Sequence, residues 1–254
     1  MKPKVLILRS AGTNCDRETE FAFRLAEAQT FRLHINVVKE RFKDLDEFQI
    51  ICIPGGFSYG DDLGAGKIFS LELLLWFKES LRKFLDKKGV ILGICNGFQV
   101  LVKMGILPDL DFKQKVTLTF NDSLRFEDRW VYLKVSDSEN KDFWFKDLPQ
   151  VFMLPVAHSE GKFFASQEVL ERIEKNNLVA LRYTDEKGNL AGYPHNPNGS
   201  LNNIAGIWNK DGNVLGLMPH PERFIFKHHY PFWKDKDILP FGLKIFKNIV
   251  NQLK

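Results

Sequence analysis

At 254 residues, with 44% hydrophobic and 27% charged residues, the chain has the make-up of a folded globular protein and the length for one large α/β domain. Its 36 basic and 32 acidic residues leave a formal net charge of only +4, with no dense Lys/Arg run to mark a nucleic-acid footprint. The apolar start Val5 to Leu8 is too short for a signal-peptide core and no segment approaches the roughly 20 apolar residues of a membrane span, so a cytoplasmic protein is expected.

Lys4 to Arg9 reads as a buried strand, followed by a turn and a helix whose face carries Phe21, Leu25 and Ala28, with Asn14 or Asp16 as its cap. Leu33 to Val38 reads as a second strand, and Phe48 to Ile53, closed by Pro54-Gly55-Gly56, as a third. An amphipathic helix is predicted over Ile68 to Leu85, after which Lys87-Lys88-Gly89 leads into the buried strand Val90-Ile91-Leu92. Such alternation predicts a mostly parallel sheet flanked by helices. From about Phe112 the pattern shortens to β-like pieces at Val116 to Phe120, Trp130 to Val135, Val151 to Val156, Val179 to Tyr183 and Ile204 to Trp208, separated in part by Asn/Gly turns. These are expected as antiparallel additions to the same sheet. A last strand, Val214 to Met218, enters Pro219-His220-Pro221-Glu222, and an amphipathic helix spans Phe241 to Leu253. With no repeat or linker, a single domain over residues 1–254 is expected.

Chemistry concentrates at three places. Gly93-Ile94-Cys95-Asn96-Gly97 stands between the strand ending at Leu92 and a helical stretch, Phe98 to Met104, and fits a nucleophile elbow with Cys in place of Ser. Small flanking residues allow the sharp turn, and a helix starting there offers N–H donors and its positive dipole end to the sulfur. Of the other two cysteines, Cys52 sits in an apolar strand and reads as core. Cys15 precedes a helix but has Asp16 beside it and lacks the glycine pair. There is no CxxC spacing, so neither a disulfide framework nor a thiolate metal site is indicated.

A thiolate nucleophile needs a proton partner, and that partner needs an orienting group. His220-Pro221-Glu222 supplies both: in extended chain, residues i and i+2 project to one side, and the two prolines around His220 stiffen the segment. Among the six histidines, His34 reads as structural and His195, His228 and His229 as exposed. A metal set of His220, Glu222, His228 and His229 has no H-E-x-x-H or thiolate spacing, and no metal is assigned. The third place is Pro54-Gly55-Gly56-Phe57-Ser58-Tyr59-Gly60-Asp61-Asp62, at the carboxyl end of the third strand, where open α/β sheets bind ligands. Its glycines suit a second oxyanion donor opposite the Asn96 N–H. A phosphate loop is disfavoured because Gly60 to Gly66 is one residue too long and Ile68 stands where Ser or Thr should follow Lys67.

These pieces, with Asn14-Cys15-Asp16, Gly93-Ile-Cys-Asn-Gly-Phe-Gln99, Pro155-Val-Ala-His-Ser-Glu-Gly161 and Gly216-Leu-Met-Pro-His-Pro-Glu-Arg223, run in order across nearly the whole chain. The sequence resembles the class I (triad) glutamine amidotransferases, and more narrowly the glutaminase subunits of phosphoribosylformylglycinamidine synthase. The resemblance implies a flavodoxin-like α/β domain in which Cys95 attacks the glutamine carboxamide, His220 passes a proton to departing ammonia and Glu222 orients His220. It implies a substrate pocket from Gly55, Gly56, Phe57, Asn96, Gln99, His158 and Gly161. It implies no cofactor in this subunit, and two partners: a large synthetase subunit that uses ATP and Mg²⁺, and a small accessory subunit. Arg9 to Thr13 and Leu63 to Lys67 depart from the family pattern, and Phe143 to Phe145 and Phe224 to Trp233 read as insertions. Two readings compete: another cysteine hydrolase, such as an intracellular peptidase or γ-glutamyl hydrolase, and a catalytically dead regulatory subunit. Gln99 and the Gly55-to-Asp61 motif favour the glutaminase over the first, and the intact Cys/His/Glu set over the second.

Overall fold

A computed structural model describes residues 2–42, 45–235 and 237–254. Four runs that are apolar on both faces make its spine: β1 (Lys4–Arg9), β3 (Ile50–Ile53), β4 (Val90–Ile94) and β11 (Val214–Leu217). A strand buried on both faces must be covered on both, the condition of a parallel sheet built from βαβ crossovers. β2 (Gln29–His34) completes a parallel half in the order β2-β1-β3-β4-β11. Right-handed crossovers put α1 (Asp16–Leu25), which steps back from β1 to β2, on one face. The same rule puts α3 (Lys67–Asp86), which steps forward from β3 to β4, on the other. The packing agrees. α1 lies against the terminal helix α7 (Phe241–Asn251), with Phe23 and Phe246 edge to face at 4.8 Å, whereas α3 lies against α4 (Asn96–Lys103).

Beyond β11 the sheet continues antiparallel through β10 (Ile204–Trp208), β9 (Val179–Thr184), β6 (Glu127–Val135) and β7 (Val151–His158). Alternating direction makes β7 run the same way as the parallel strands. Its carboxyl end curls back to theirs: the His220 N–H donates to Pro155 O of β7 at 2.8 Å. One hydrophobic cluster runs from Val5 to Val250. Among the described residues, no helix is long and apolar enough to cross a membrane.

Several expectations are corrected. The segment read as a strand over Leu33 to Val38 splits into the end of β2 and α2 (Ile35–Arg41), because His34 turns from strand to cap and its Nδ1 accepts the Asn36 N–H at 3.3 Å. On α1 the inward face is Thr19, Ala22 and Phe23, while Phe21 is 45% exposed. β5 (Val116–Thr119) does not join the main sheet: it pairs with β8 (Lys162–Ala165) in a separate two-stranded ribbon. Two further helices, besides α2, escaped the sequence reading. α6 (Gln167–Lys175) starts at Ser166, whose side chain accepts the Val169 N–H, and turns Leu170 and Ile173 inward. α5 (Lys141–Phe145) falls in a stretch read as an insertion, yet Trp144 is fully buried and its indole N–H donates to Gly212 O at 2.7 Å.

Candidate active site

The strand order brings four connections to one end of the sheet. β1, β3, β4 and β11 are parallel neighbours, so the chain leaving each emerges on the same side, and β7 adds a fifth wall. Cys15, Gly55 to Asp61, Cys95 to Gln99, His220 to Arg223 and Ala157 to Gly161 all converge there.

Cys95 occupies the corner between β4 and α4 at φ 50° and ψ −104°, a backbone state that costs a side-chain-bearing residue about 1–3 kcal/mol unless its surroundings impose it. They do so by contact. A Cβ on Gly97 would stand 1.9 Å from Ile53 O, and one on Gly93 would stand 2.5 Å from a Leu101 methyl, so neither position admits a side chain. The Cys95 N–H is tied to Leu217 O at 2.8 Å, and its thiol points to Ala157 O at 3.7 Å. As the N-cap of α4, the residue precedes backbone N–H groups that have no intrahelical acceptor, Asn96 N–H first among them.

His220 and Glu222 meet, but not by the geometry read from sequence. The chain is not extended: Pro221–Arg223 forms a short 3₁₀ turn, with proline at its first position. The turn still sets His220 Nδ1 2.6 Å from Glu222 Oε1, and both residues are 1% exposed. Nδ1–H donates to the carboxylate, which leaves Nε2 free. Nε2 and Glu222 Oε2 have no hydrogen-bond partner among the described residues, a costly condition for buried polar atoms and the one a proton shuttle needs. Burial, the largest single influence, works against the imidazolium. Glu222, Cys95 and Cys15 together outweigh it and hold the His220 pKa well above its ordinary value.

Beside the elbow, a chain of amides stitches two loops together. Asn96 Oδ1 accepts the Ser58 N–H at 3.2 Å, and its Nδ2 donates to Asp61 Oδ1 (3.1 Å) and Gln99 Oε1 (2.9 Å). Gln99 Nε2 donates in turn to Glu160 O at 2.6 Å. Gly55 and Gly56 line the opposite wall. The Gly55 Cα leaves no room for a Cβ, which would stand 2.8 Å from His220 Cε1. Gly56 bridges to Thr13, and its own N–H has no acceptor among the described residues. Phe57 is 40% exposed, its ring centroid 6.4 Å from that of Phe126.

The far wall is a closed polar cluster. Asn121 Oδ1 accepts from His158 Nδ1 (3.1 Å) and the Gly161 N–H (3.0 Å), while its Nδ2 donates to His158 O and Arg125 O. Asn198 Nδ2 reaches Gly161 O and, at 3.5 Å, His158 Nε2. Burial, with a further push from His220, lowers the His158 pKa to about 3, so the ring is neutral. A Cβ on Gly161 would lie 2.4 Å from that ring. His158, Gly161 and Gln99 thus lie in the pocket wall, held there by Asn121, Asn198, Asn96 and the Glu160 carbonyl.

The sequence reading passed over four neighbours: Cys15, Arg223, Asn121 and Asn198. Asp16, which had seemed to set the surroundings of Cys15, is turned away to Arg32 at 2.7 Å and Arg9 at 3.3 Å. Cys15 Sγ instead lies within 4.8 Å of donor atoms of both His220 and Glu222. That trio has the donors of a metal site, but Arg223 Nη2 already donates to the sulfur at 3.2 Å and Glu222 Oε1 is committed to the imidazole. A cation there would face the Arg223 guanidinium.

Comparison with known proteins agrees with this geometry. Residues 2–252 match the CobB/CobQ-like glutamine amidotransferase domain. The chain is 47% identical to "Phosphoribosylformylglycinamidine synthase subunit PurQ" of Dehalococcoides mccartyi over 98% of this chain and 97% of that protein. It is 42% identical to the protein of the same description from Archaeoglobus fulgidus, over 99% and 97%. Among solved structures it is similar to a chain of PurLQS from Thermotoga maritima, with a TM-score of 0.77, 30% identity and full coverage of both chains.

Proposed function

The chain belongs to the CobB/CobQ-like glutamine amidotransferase family, and we propose that it is the single-domain glutaminase subunit of a phosphoribosylformylglycinamidine synthase, with Cys95, His220 and Glu222 as its triad. It releases ammonia from glutamine and delivers it to a large synthetase subunit, assisted by a small third subunit, in purine biosynthesis. One observation carries the triad: a buried imidazole bonded through Nδ1 to Glu222 at 2.6 Å, its Nε2 unpartnered, beside a cysteine held at positive φ on a strand-to-helix corner.

In this reading Cys95 Sγ attacks the carboxamide carbon of glutamine. The N–H groups of Gly56 and Asn96 receive the charge that develops on the carbonyl oxygen. His220 gives its proton to the leaving nitrogen, ammonia departs and a γ-glutamyl thioester remains. Water, deprotonated by His220, cleaves the thioester to glutamate and restores the thiol. Glu222 keeps the imidazole oriented and its cationic form stable throughout. The subunit itself needs no cofactor for these steps, and ATP and Mg²⁺ act in the synthetase. The three unpaired cysteines suit the reducing cytoplasm, where we place the protein.

The test is glutamate release from glutamine with the synthetase subunit present. Cys95→Ala lowers it by at least about a thousandfold, while synthesis from added ammonium salt continues. A glutamine-mimicking chloroketone labels Cys95 in the wild type. Turnover surviving in Cys95→Ala, or label found on Cys15 alone, would overturn the assignment.

A further inference from the structure

A second sulfur stands against the catalytic histidine. Cys15, at the corner between β1 and α1, is 1% exposed, and its backbone N–H is fixed by Gly55 O at 3.2 Å. Its thiol donates to Asn14 Oδ1 at 3.3 Å and accepts from Arg223 Nη2 at 3.2 Å. Its Sγ, a ring nitrogen of His220 and an oxygen of Glu222 all lie within 4.8 Å of one another. The point where a Gly55 Cβ would sit is 2.8 Å from His220 Cε1 and 3.2 Å from Cys15 Sγ, so sulfur and imidazole are packed on either side of one glycine. The ring is thus boxed by Glu222 on Nδ1, by Gly55 along its Cε1 edge, and by Cys15 beside both.

We propose that Cys15, itself held by Asn14 and Arg223, is a positioning residue for His220: a thiol that fixes the plane of the imidazole and favours its protonated form without taking part in any covalent step. The proposal rests on the triad reading above. Both hydrogen bonds of the sulfur fit a neutral thiol, one given and one received. Burial, the largest influence on it, pushes the Cys15 thiol up. A neutral sulfur adds no second anion next to Glu222, yet still offers lone pairs to an imidazolium. Arg223 is the means of control. It follows Glu222 in the same turn, so the segment that carries the base also carries the group that orients Cys15.

The groups facing His220 are Glu222 and Arg223 from its own turn, Cys95 from the β4–α4 corner, Cys15 from the β1–α1 corner and His158 from β7. Of these, Glu222, Cys95 and Cys15 raise its proton affinity. Removing Cys15 therefore lowers the pH at which the imidazolium is lost, and the alkaline limb of the kcat profile moves toward acid.

The experiment measures glutamine-dependent turnover of the complex with its synthetase against pH, for the wild type, Cys15→Ala, Cys15→Ser, Cys15→Val and Cys95→Ala. For Cys15→Ala the expected result is a kcat about tenfold lower, with the KM for glutamine within about twofold of wild type. Its alkaline limb shifts to lower pH by about half a unit or more. Cys15→Ser, which keeps a small donor and acceptor in place, recovers most of the loss. A wild-type kcat and limb in Cys15→Ala, or a change confined to KM, would overturn the proposal. Should Cys15→Ala fail to fold, Cys15→Val carries the test: it fills the same space without a lone pair, shifts the limb in the same direction, and an unmoved limb refutes the proposal. If Cys95→Ala remains active, the triad reading has failed instead.

Discussion

Two buried histidines, one in each half of the sheet, meet opposite fates. His220 follows β11 in the parallel half, and its pKa is held well above the ordinary value. His158 ends β7 in the antiparallel half, and its pKa falls to about 3. Burial disfavours the charged form of both. What differs is the partner: His220 faces a carboxylate and two sulfurs, His158 the amides of Asn121 and Asn198. Burial alone therefore says little about a histidine's work. A carboxylate on one nitrogen with the other unpaired suits the proposed proton carrier, whereas neutral amides around the ring keep the other histidine uncharged.

The contrast breaks most visibly at Glu222. Glu222→Gln keeps the shape of the side chain and removes the charge, so turnover falls on the order of a thousandfold or more with the melting temperature little changed. Activity near wild type in that variant would mean that the carboxylate is not what separates the two histidines. Gly97→Ala also destroys turnover, but by a different route. Its Cβ would stand 1.9 Å from Ile53 O, so the elbow must open, and a loss of about 3 kcal/mol is expected in urea unfolding.

Asn121 is the matching probe in the antiparallel half. Asn121→Ala strips partners from the Gly161 N–H, His158 Nδ1, the buried His158 carbonyl and the half-buried Arg125 carbonyl, a cost of about 2–4 kcal/mol. The triad is untouched, so the folded fraction keeps its kcat while the KM for glutamine rises severalfold. A collapse in kcat with normal stability would show that this cluster takes part in the chemistry, and the division between halves would fail.

The parallel half was largely legible in the sequence because its signals are local. Cys95 announces itself through the glycine spacing between an apolar strand and a helix, and His220 through its place just after β11. Cys15 was noticed as one of the matched pieces, but its place beside His220 was not legible. Its contact with Arg223 spans 208 residues and exists only because β1 and β11 open on the same side of one sheet. That both strands end on the same edge of the parallel half was the signal available, and the neighbouring Asp16 drew attention away from it. The 3₁₀ turn at Pro221 was missed because i and i+2 can also meet in a turn, which a count of extended-chain directions ignores. In the antiparallel half, Asn121 lies in a polar loop between β5 and β6 with no motif of its own. β5 was assigned to the wrong sheet because its pattern reports that one face is buried and not which strand covers it.

The smallest effect separates the halves by pH. The folded pKa of His158, about 3, lies below the ordinary value of 6.5, so between these values the folded state binds fewer protons than the unfolded chain. The stabilising contribution of the neutral ring is complete above pH 6.5 and is lost as pH falls toward 3, by about 1.4 kcal/mol per unit. His220 has the opposite sign: with a raised folded pKa, its contribution is complete below 6.5 and fades as pH rises through the folded value. Acid should therefore strain the antiparallel half first, and alkali the parallel half. Urea unfolding of the wild type and His158→Gln at pH 7 and pH 5 reads the difference. Glutamine can still donate to Asn121 Oδ1 but does not titrate, so the variant starts less stable at pH 7 and loses about 2 kcal/mol less than wild type on the way to pH 5. Equal losses in both proteins would place the acid sensitivity outside this histidine and leave its neutrality without consequence for the fold.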